Sequence, residues 1–261
     1  AFGESGASAE NRAKEKVRYG IFGDIHGNLE ALEAVLADME GQSVTHPMCI
    51  GDLVGYGANP AECLEVVRAL ACPVVRGNHD EWVTQAKNPA SFSEDARRAL
   101  DFTRKKLNPS QLNYLRRLPY VKIGESWTLV HATLDGPEYW GYVSTRLEAE
   151  TSFLYQKTSL CFLGHTHRPA VFIKDHEVRP IEFRRVDVHP ERLKVSRKFL
   201  FNVGSVGQPR DGDWRAAYAI YDTKSEIVEL RRLNYDIDRA AHKITKAGLP
   251  QSLSKRLFKG E

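Results

Sequence analysis

The sequence predicts an α/β protein in which two β-sheets are flanked by helices. Three observations carry this. The first eighty or so residues alternate short apolar runs with amphipathic stretches. The second half changes to closely spaced strand-like runs, and many of the apolar runs stop at a Gly or at a polar residue of metal-binding type.

Residues 1–16 are small and polar and are expected to form a mobile tail. VRYGIF is then an apolar run of strand length, and NLEALEAVLADME sets Leu29, Leu32, Val35, Leu36 and Met39 at helical spacing. PMCI and NPAECLEVVRAL repeat the unit, with Pro60 suited to a helix's first turn. PVVR at 73–76 predicts a third strand. Strands alternating with helices in this way imply a parallel or mixed sheet covered by helices. Residues 80–118 read as helical, with breaks at Pro89 and Pro109. From Tyr120 onward YVKIG, WTLV, SLCFLG, AVFIK, the segments near 178–188, KFLFNVG, RAAYAIYD and EIVELRRL read as strands, with a helix at 146–157. IDRAAHKITKAG places Ile237, Ala240, Ala241 and Ile244 on one face, a C-terminal helix docked on the body. No linker separates the halves, so residues 17–261 are expected to form one domain.

Composition narrows the class. A chain of 261 residues, 42% hydrophobic, can bury a substantial core. Lys+Arg less Asp+Glu is 37 − 34 = +3, which excludes strongly basic nucleic-acid coats and acidic disordered chains. The pairs Arg184-Arg185 and Arg231-Arg232 read as solvated strand faces rather than a nucleic-acid track. No run approaches the roughly 18 apolar residues of a membrane span, so a soluble, cytoplasmic protein without a membrane partner is expected. Cys49, Cys63, Cys72 and Cys161 lack CxxC spacing and are expected to be reduced and buried.

The chemistry is concentrated at the ends of strands. GIFG leads to Asp24, MCIG to Asp52, VVRG to Asn78, TLV to His131 and CFLG to His165. In open α/β sheets ligands bind outside the carboxyl ends of the strands, so these positions should converge. Asp24 and His26 are two residues apart, as are His165 and His167, which in an extended segment points each pair to one side. Asp24, His26, Asp52, Asn78, His131, His165 and His167 together offer seven O and N donors, too many for one tetrahedral ion but suited to two ions sharing a carboxylate. Imidazole and carboxylate without thiolate favour Mn, Fe, Zn, Co or Ni over Ca and Mg. His46, His176, His189 and His242 belong to no motif and are assigned to surface or structure.

DIHGN, GDLVGYG, GNHD, VH and GHTH, in this order, resemble the calcineurin-like metallophosphoesterases, and NVGSVGQPR at 202–210 resembles their bacterial and archaeal branch. The resemblance implies a four-layer αββα sandwich of two mixed sheets. It implies one metal held by Asp24, His26, Asp52 and His167, and a second held by Asp52, Asn78, His131 and His165, with Asp52 bridging and manganese the first candidate. Two such cations activate a shared water and neutralise phosphate oxygens, so displacement at phosphorus needs no protein nucleophile. His79, next to Asn78, is then the candidate general acid toward the leaving oxygen, and Asp80 the candidate for orienting it.

One departure matters. The protein serine/threonine phosphatase branch carries Asp and Arg where this chain has Gly55 and Tyr56, which weakens a phosphoprotein reading. Arg210 is the candidate phosphate clamp in their place, since a guanidinium binds phosphate oxygens bidentately. Tyr56 and Trp140 are further candidate substrate contacts, Trp140 as an aromatic face for a nucleobase in the segment that also holds Tyr139 and Tyr142. The expected function is a dinuclear phosphoesterase acting on a phosphomonoester, a phosphodiester or a pyrophosphate-linked nucleotide. The alternatives are a catalytically silent scaffold of the same fold and a phosphoprotein phosphatase.

Overall fold

The strands alternate faces, and that alternation sets the layering. The computed structural model describes residues 17–87, 92–189 and 197–261, so the expected tail at 1–16 and the break at Pro89 lie outside the described residues. In chain order the elements are β1 (Arg18–Phe22), α1 (Leu29–Gly41), β2 (His46–Cys49), α2 (Pro60–Ala69), α3 (Asn78–Trp82), α4 (Glu94–Lys106) and α5 (Pro109–Arg117). Then come β3 (Val121–Ile123), β4 (Trp127–Val130), a 3-10 turn (Pro137–Tyr139), α6 (Arg146–Tyr155), β5 (Leu160–Leu163), β6 (Ala170–Lys174), β7 (Val178–Ile181) and β8 (Arg185–Asp187). The last are β9 (Lys198–Asn202), β10 (Ala216–Asp222), β11 (Ile227–Leu233), α7 (Ile237–Lys246) and α8 (Gln251–Lys259).

One sheet has the order β2-β1-β10-β11-β8 and the other β3-β4-β5-β9-β6-β7. Both are mixed: β1 and β2 are parallel, as are β4, β5 and β9, while β10, β11, β6 and β7 run antiparallel to their neighbours. Ile21, Ile50, Phe162, Phe199, Phe201 and Ala219 pack between the sheets. Their chain neighbours face outward, Phe22, Tyr218 and Ile220 beneath α1, α2, α7 and α8, and Cys161, Leu163 and Leu200 beneath Ala149 and Phe153 of α6. Each side chain as large as Phe162 or Phe201 contributes about 1.5–3 kcal/mol through burial. The result is the expected αββα sandwich.

Local chemistry starts the helices where the spacing predicts them. Asn28 accepts from the Ala31 N–H to cap α1, Pro60 opens α2, and Asn108 with Gln111 forms a capping box on α5, whose first residue is Pro109. Two expectations change. PVVR makes one bridge, Cys49 with Val74, and no strand. After Val75 donates to Cys49 O, the Arg76 N–H turns away to Pro119 O, so the ladder stops there. The C-terminus holds two helices, α8 following α7 after Gly248 and Pro250 and burying Leu253 and Leu257.

Cys49, Cys63 and Cys161 are buried free thiols, and Cys72 is half-buried. Arg231 and Arg232 are tied to Asp38 and Asp211. No helix among the described residues is long and apolar enough to cross a membrane.

Candidate metal centre

Because β1 and β2 run parallel, and β4, β5 and β9 likewise, the turns after them emerge at the same edge of each sheet. Asp24 follows β1, Asp52 follows β2, His131 follows β4, and His165 and His167 follow β5. The two sheets meet at Asp24, whose Oδ2 accepts from the His165 N–H at 3.1 Å while its own N–H donates to Gly51 O at 2.9 Å. All seven predicted ligands are buried.

Backbone strain marks five of these seven residues. Among the described non-glycine residues, positive φ occurs at Asp24, His26, Asp52, Tyr56, Trp140, His165 and His167, and otherwise at Ser43, Ala71 and Glu226. Such conformations cost on the order of 1–3 kcal/mol each and persist only where the surroundings enforce them. Here the strain turns the side chains inward at the ends of the strands.

Asp24, His26, Asp52 and His167 each offer one ligand atom, and these atoms lie within 4.8 Å of one another. Asp52 Oδ2 stands 3.5 Å from His26 Nε2 and 3.4 Å from His131 Nε2, between the two expected ligand sets. On the far side His131 Nε2 is 3.0 Å from Asn78 Oδ1, and the His165 ring lies 5.1 Å from that of His131. The remaining Asp52 oxygen, Oδ1, accepts from the His79 N–H at 2.8 Å.

The imidazoles are oriented by main chain. Nδ1 of His26 faces Val54 O at 3.1 Å, that of His131 faces Ile50 O at 2.9 Å, and that of His167 faces Gln208 O at 2.6 Å. With Nδ1–H donating, each Nε2 keeps its lone pair for the centre. His26 Nε2 and His167 Nε2 therefore approach to 3.1 Å lone pair to lone pair. Asp24 Oδ1 is buried with no hydrogen-bond partner. Opposed lone pairs and an orphaned carboxylate oxygen are what a cation resolves, so the residues fit a divalent metal.

The electrostatics agree. Burial works to raise Asp24 and Asp52, but neighbouring imidazoles outweigh it, His167 and His131 for the first, His131 and His79 for the second, and both carboxyls fall below their ordinary range. Burial holds His26 and His167 low, and His165 down to about 3, which keeps these rings neutral and ready to ligate. His131 is the exception: burial would lower it, but the Asp52 carboxylate pushes it up to about 9. The cluster attracts positive charge even in the form of a proton.

His79 is buried, with its ring 4.5 Å from Tyr56 and 4.8 Å from His26, and burial holds it down to about 4. Asp80 accepts from the Leu53 N–H at 2.9 Å and the Gly77 N–H at 3.0 Å, which fastens the Asp52 loop to the Asn78 turn, and no hydrogen bond to His79 Nδ1 accompanies these among the described residues. His79 Nδ1 has no hydrogen-bond partner among the described residues. It faces Gly55, where a Cβ would come within 2.5 Å of it.

The candidate substrate contacts separate into two kinds. Arg210 and Tyr56 reach the centre: the guanidinium donates to Gln208 Oε1 at 3.2 and 2.7 Å and lies 5.7 Å from the Tyr56 ring centroid. Trp140 is buried, only 9% exposed, packed edge-on or tilted against Trp82, Tyr120 and His131. Tyr142 is 55% exposed and stacks on His165 at 4.4 Å and 20°. Gln208, which orients His167 through its carbonyl and Arg210 through its side chain, lies within NVGSVGQPR, but a single Gln carries no signature of its own.

Comparison with known proteins bears on these observations. The calcineurin-like phosphoesterase superfamily domain matches residues 17–226. An uncharacterized protein of Methanocaldococcus jannaschii is 37% identical over 246 residues, 92% of this chain and 97% of that one. A crystal structure of a metallophosphoesterase from Sphaerobacter thermophilus superposes with a TM-score of 0.82 at 36% identity, covering 94% of this chain and all of that one. A symmetrical bis(5'-nucleosyl)-tetraphosphatase of Sodalis glossinidius is 29% identical over 129 residues, 48% of this chain and 46% of its own length.

Proposed function

This chain belongs to the calcineurin-like phosphoesterase superfamily, and from that premise we propose that it is a dinuclear metal-dependent hydrolase of phosphoric esters. The observation that supports the reading is the position of Asp52 Oδ2, 3.5 Å from His26 Nε2 and 3.4 Å from His131 Nε2, which suits it to be a carboxylate shared by two ion sites. Asp24, His26 and His167 would hold one ion with it, and Asn78, His131 and His165 the other. Two divalent cations, when bound, supply an activated water for in-line attack and neutralise phosphate oxygens.

The chain's own residues do the rest. Carbonyls of Val54, Ile50 and Gln208 hold three imidazoles in the ligating tautomer. His79, fixed by its N–H to Asp52, is the proton donor to the leaving oxygen. Burial keeps its ring neutral, and the negative charge of a phosphate beside it acts in the opposite direction, so the proton is taken up with substrate. Arg210, held by Gln208, receives phosphate oxygens. Gly55 and Tyr56 leave no carboxylate and no arginine where a phosphoprotein phosphatase carries them, which favours a small phosphorylated or nucleotide substrate. The tetraphosphatase likeness, though it spans less than half of each chain, points the same way.

The test is metal content by mass spectrometry together with turnover of p-nitrophenyl phosphate, bis-p-nitrophenyl phosphate and diadenosine tetraphosphate with added manganese. About two ions per chain and hydrolysis of at least one substrate are expected. Neither metal nor turnover would leave the scaffold reading in its place.

A further inference from the structure

His131 follows β4 and His165 follows β5, two strands that pair in parallel, and their imidazole rings lie 5.1 Å apart. The segment after His131 reaches both rings. Leu134 and Val143 are buried with Ala149 and Phe153 of α6, which pins it at two points. Left-handed backbone at Gly136 (φ +57) and Trp140 (φ +59) bends the chain between those pins. Trp140 is thereby set edge-on to the His131 ring at 5.9 Å, and Tyr142 is laid on the His165 ring at 4.4 Å and 20°. Each imidazole thus carries one aromatic ring, but Trp140 is buried whereas Tyr142 is 55% exposed.

Tyr142 stands at the mouth of the centre. His165 is the most exposed of the seven candidate ligands, at 8%, so the donors open to solvent on the side that Tyr142 flanks. One face of the Tyr142 ring covers His165, and its exposure therefore lies on the opposite face and the rim. The crevice on the side of the other ligand set is nearly closed. Lined by His26, Tyr56, Gly207 and Gln208, it has room for little more than a water, about 10 Å³. A phosphate held among the donors must then direct its esterified group outward, past His165.

We infer that Tyr142 is a specificity-determining residue whose open face stacks the nucleobase of a nucleotide held at the centre by its phosphate. The inference rests on the phosphoesterase reading above and deepens it, since it names a nucleotide as the substrate class and the residue that selects it. Stacking on an aromatic face needs no particular base, because every base has a π-face. Tyr142 is already seated on His165 beside the buried Val143, so little side-chain freedom remains to be lost when a base lands on it.

AMP and ribose 5-phosphate carry the same phosphate and the same sugar and differ in the base alone. Titration calorimetry of each on the manganese-loaded protein reads binding directly, and metal content of the same samples reads any effect on His165. Wild type should bind AMP about tenfold to a hundredfold more tightly than ribose 5-phosphate. Tyr142→Ala should shrink that preference to within about twofold through lost AMP affinity. Tyr142→Phe, which keeps the face and loses the hydroxyl, should preserve it, and thermal melts of both variants report folding. Binding of neither ligand, equal affinity in wild type, or an unchanged preference in a folded Tyr142→Ala would overturn the inference. So would a parallel loss of manganese, AMP and ribose 5-phosphate in that variant, which would make Tyr142 a support for His165 instead. Turnover of p-nitrophenyl phosphate, bis-p-nitrophenyl phosphate and diadenosine tetraphosphate by wild type reads the phosphoesterase assignment separately. Failure on all three would sink that assignment, whatever the base preference.

Discussion

Gly55→Ala should slow catalysis while leaving the metals in place. Gly55 has φ +93, a conformation costly for any residue with a side chain, and the added methyl would lie 2.5 Å from His79 Nδ1 and 3.0 Å from its Cγ. Ordinary contact at such pairs needs about 3.5 Å, so the ring must retreat by about 1 Å. A displacement of that size in a catalytic group costs about a hundredfold in kcat, or about 2.7 kcal/mol of barrier. Overpacking adds about 1–3 kcal/mol of lost stability. The three atoms nearest to a Cβ at Gly55 all belong to His79 and none to a candidate metal ligand, so metal content should be unchanged. The assay is kcat with p-nitrophenyl and alkyl leaving groups, alongside metal analysis of the same sample. The alkyl esters should suffer more, because they depend on a proton donor. A folded variant with full metal and wild-type kcat on alkyl esters would refute the role of His79. Loss of metal would refute the separation of His79 from the ligands.

Three further outcomes are expected. Asp52→Asn should weaken both ions together, by more than about a hundredfold, since one carboxylate serves both sets; loss of a single ion in mass spectrometry would show that it does not bridge. Trp140→Ala should lower the melting temperature by on the order of 10 °C, because it empties a buried site among Trp82, Tyr120 and His131, with equal relative effects on nucleotide and nitrophenyl substrates. Asp38 accepts from Arg231 at 2.9 and 3.1 Å and from the Tyr218 hydroxyl at 2.5 Å, and these bonds outweigh burial to hold its carboxyl below the ordinary 3.8. A depressed carboxyl stabilises the fold above its unfolded pKa and loses that contribution as pH falls through its folded value. Asp38→Asn should therefore cost about 1–2 kcal/mol in urea unfolding at pH 7, a gap that closes as pH falls below the ordinary carboxylate range; a gap independent of pH would assign the loss to packing.

The convergence of the candidate ligands was legible because the motifs are short and all but the one at Asn78 follow a strand, where chain direction alone predicts convergence. Asp24, His26, Asp52, Asn78, His131, His165 and His167 all meet as their positions imply. The partners of Asp80 could not be read from adjacency, for a physical reason. Adjacency to His79 suggested a partner, but on a helical turn neighbouring side chains diverge, and the backbone N–H groups of Leu53 and Gly77 were better placed. For Trp140, likewise, nearness to His131 in sequence said nothing of how far its face would be covered. PVVR has strand composition, yet the turn of Arg76 toward Pro119 ends its ladder after one pair.

The sequence by itself determined the layered α/β architecture, the one edge where the donors gather, and the absence of carboxylate and arginine at Gly55 and Tyr56. Those are properties of period, chain direction and residue type, which are written locally. Only the tertiary structure decided which atoms face which. It showed the carbonyls of Val54, Ile50 and Gln208 facing the Nδ1 atoms of His26, His131 and His167, His79 Nδ1 without a hydrogen-bond partner among the described residues, and the Arg210 guanidinium 5.7 Å from the Tyr56 ring. Such contacts join residues many positions apart. They follow from packing one layer on another, which no local pattern encodes.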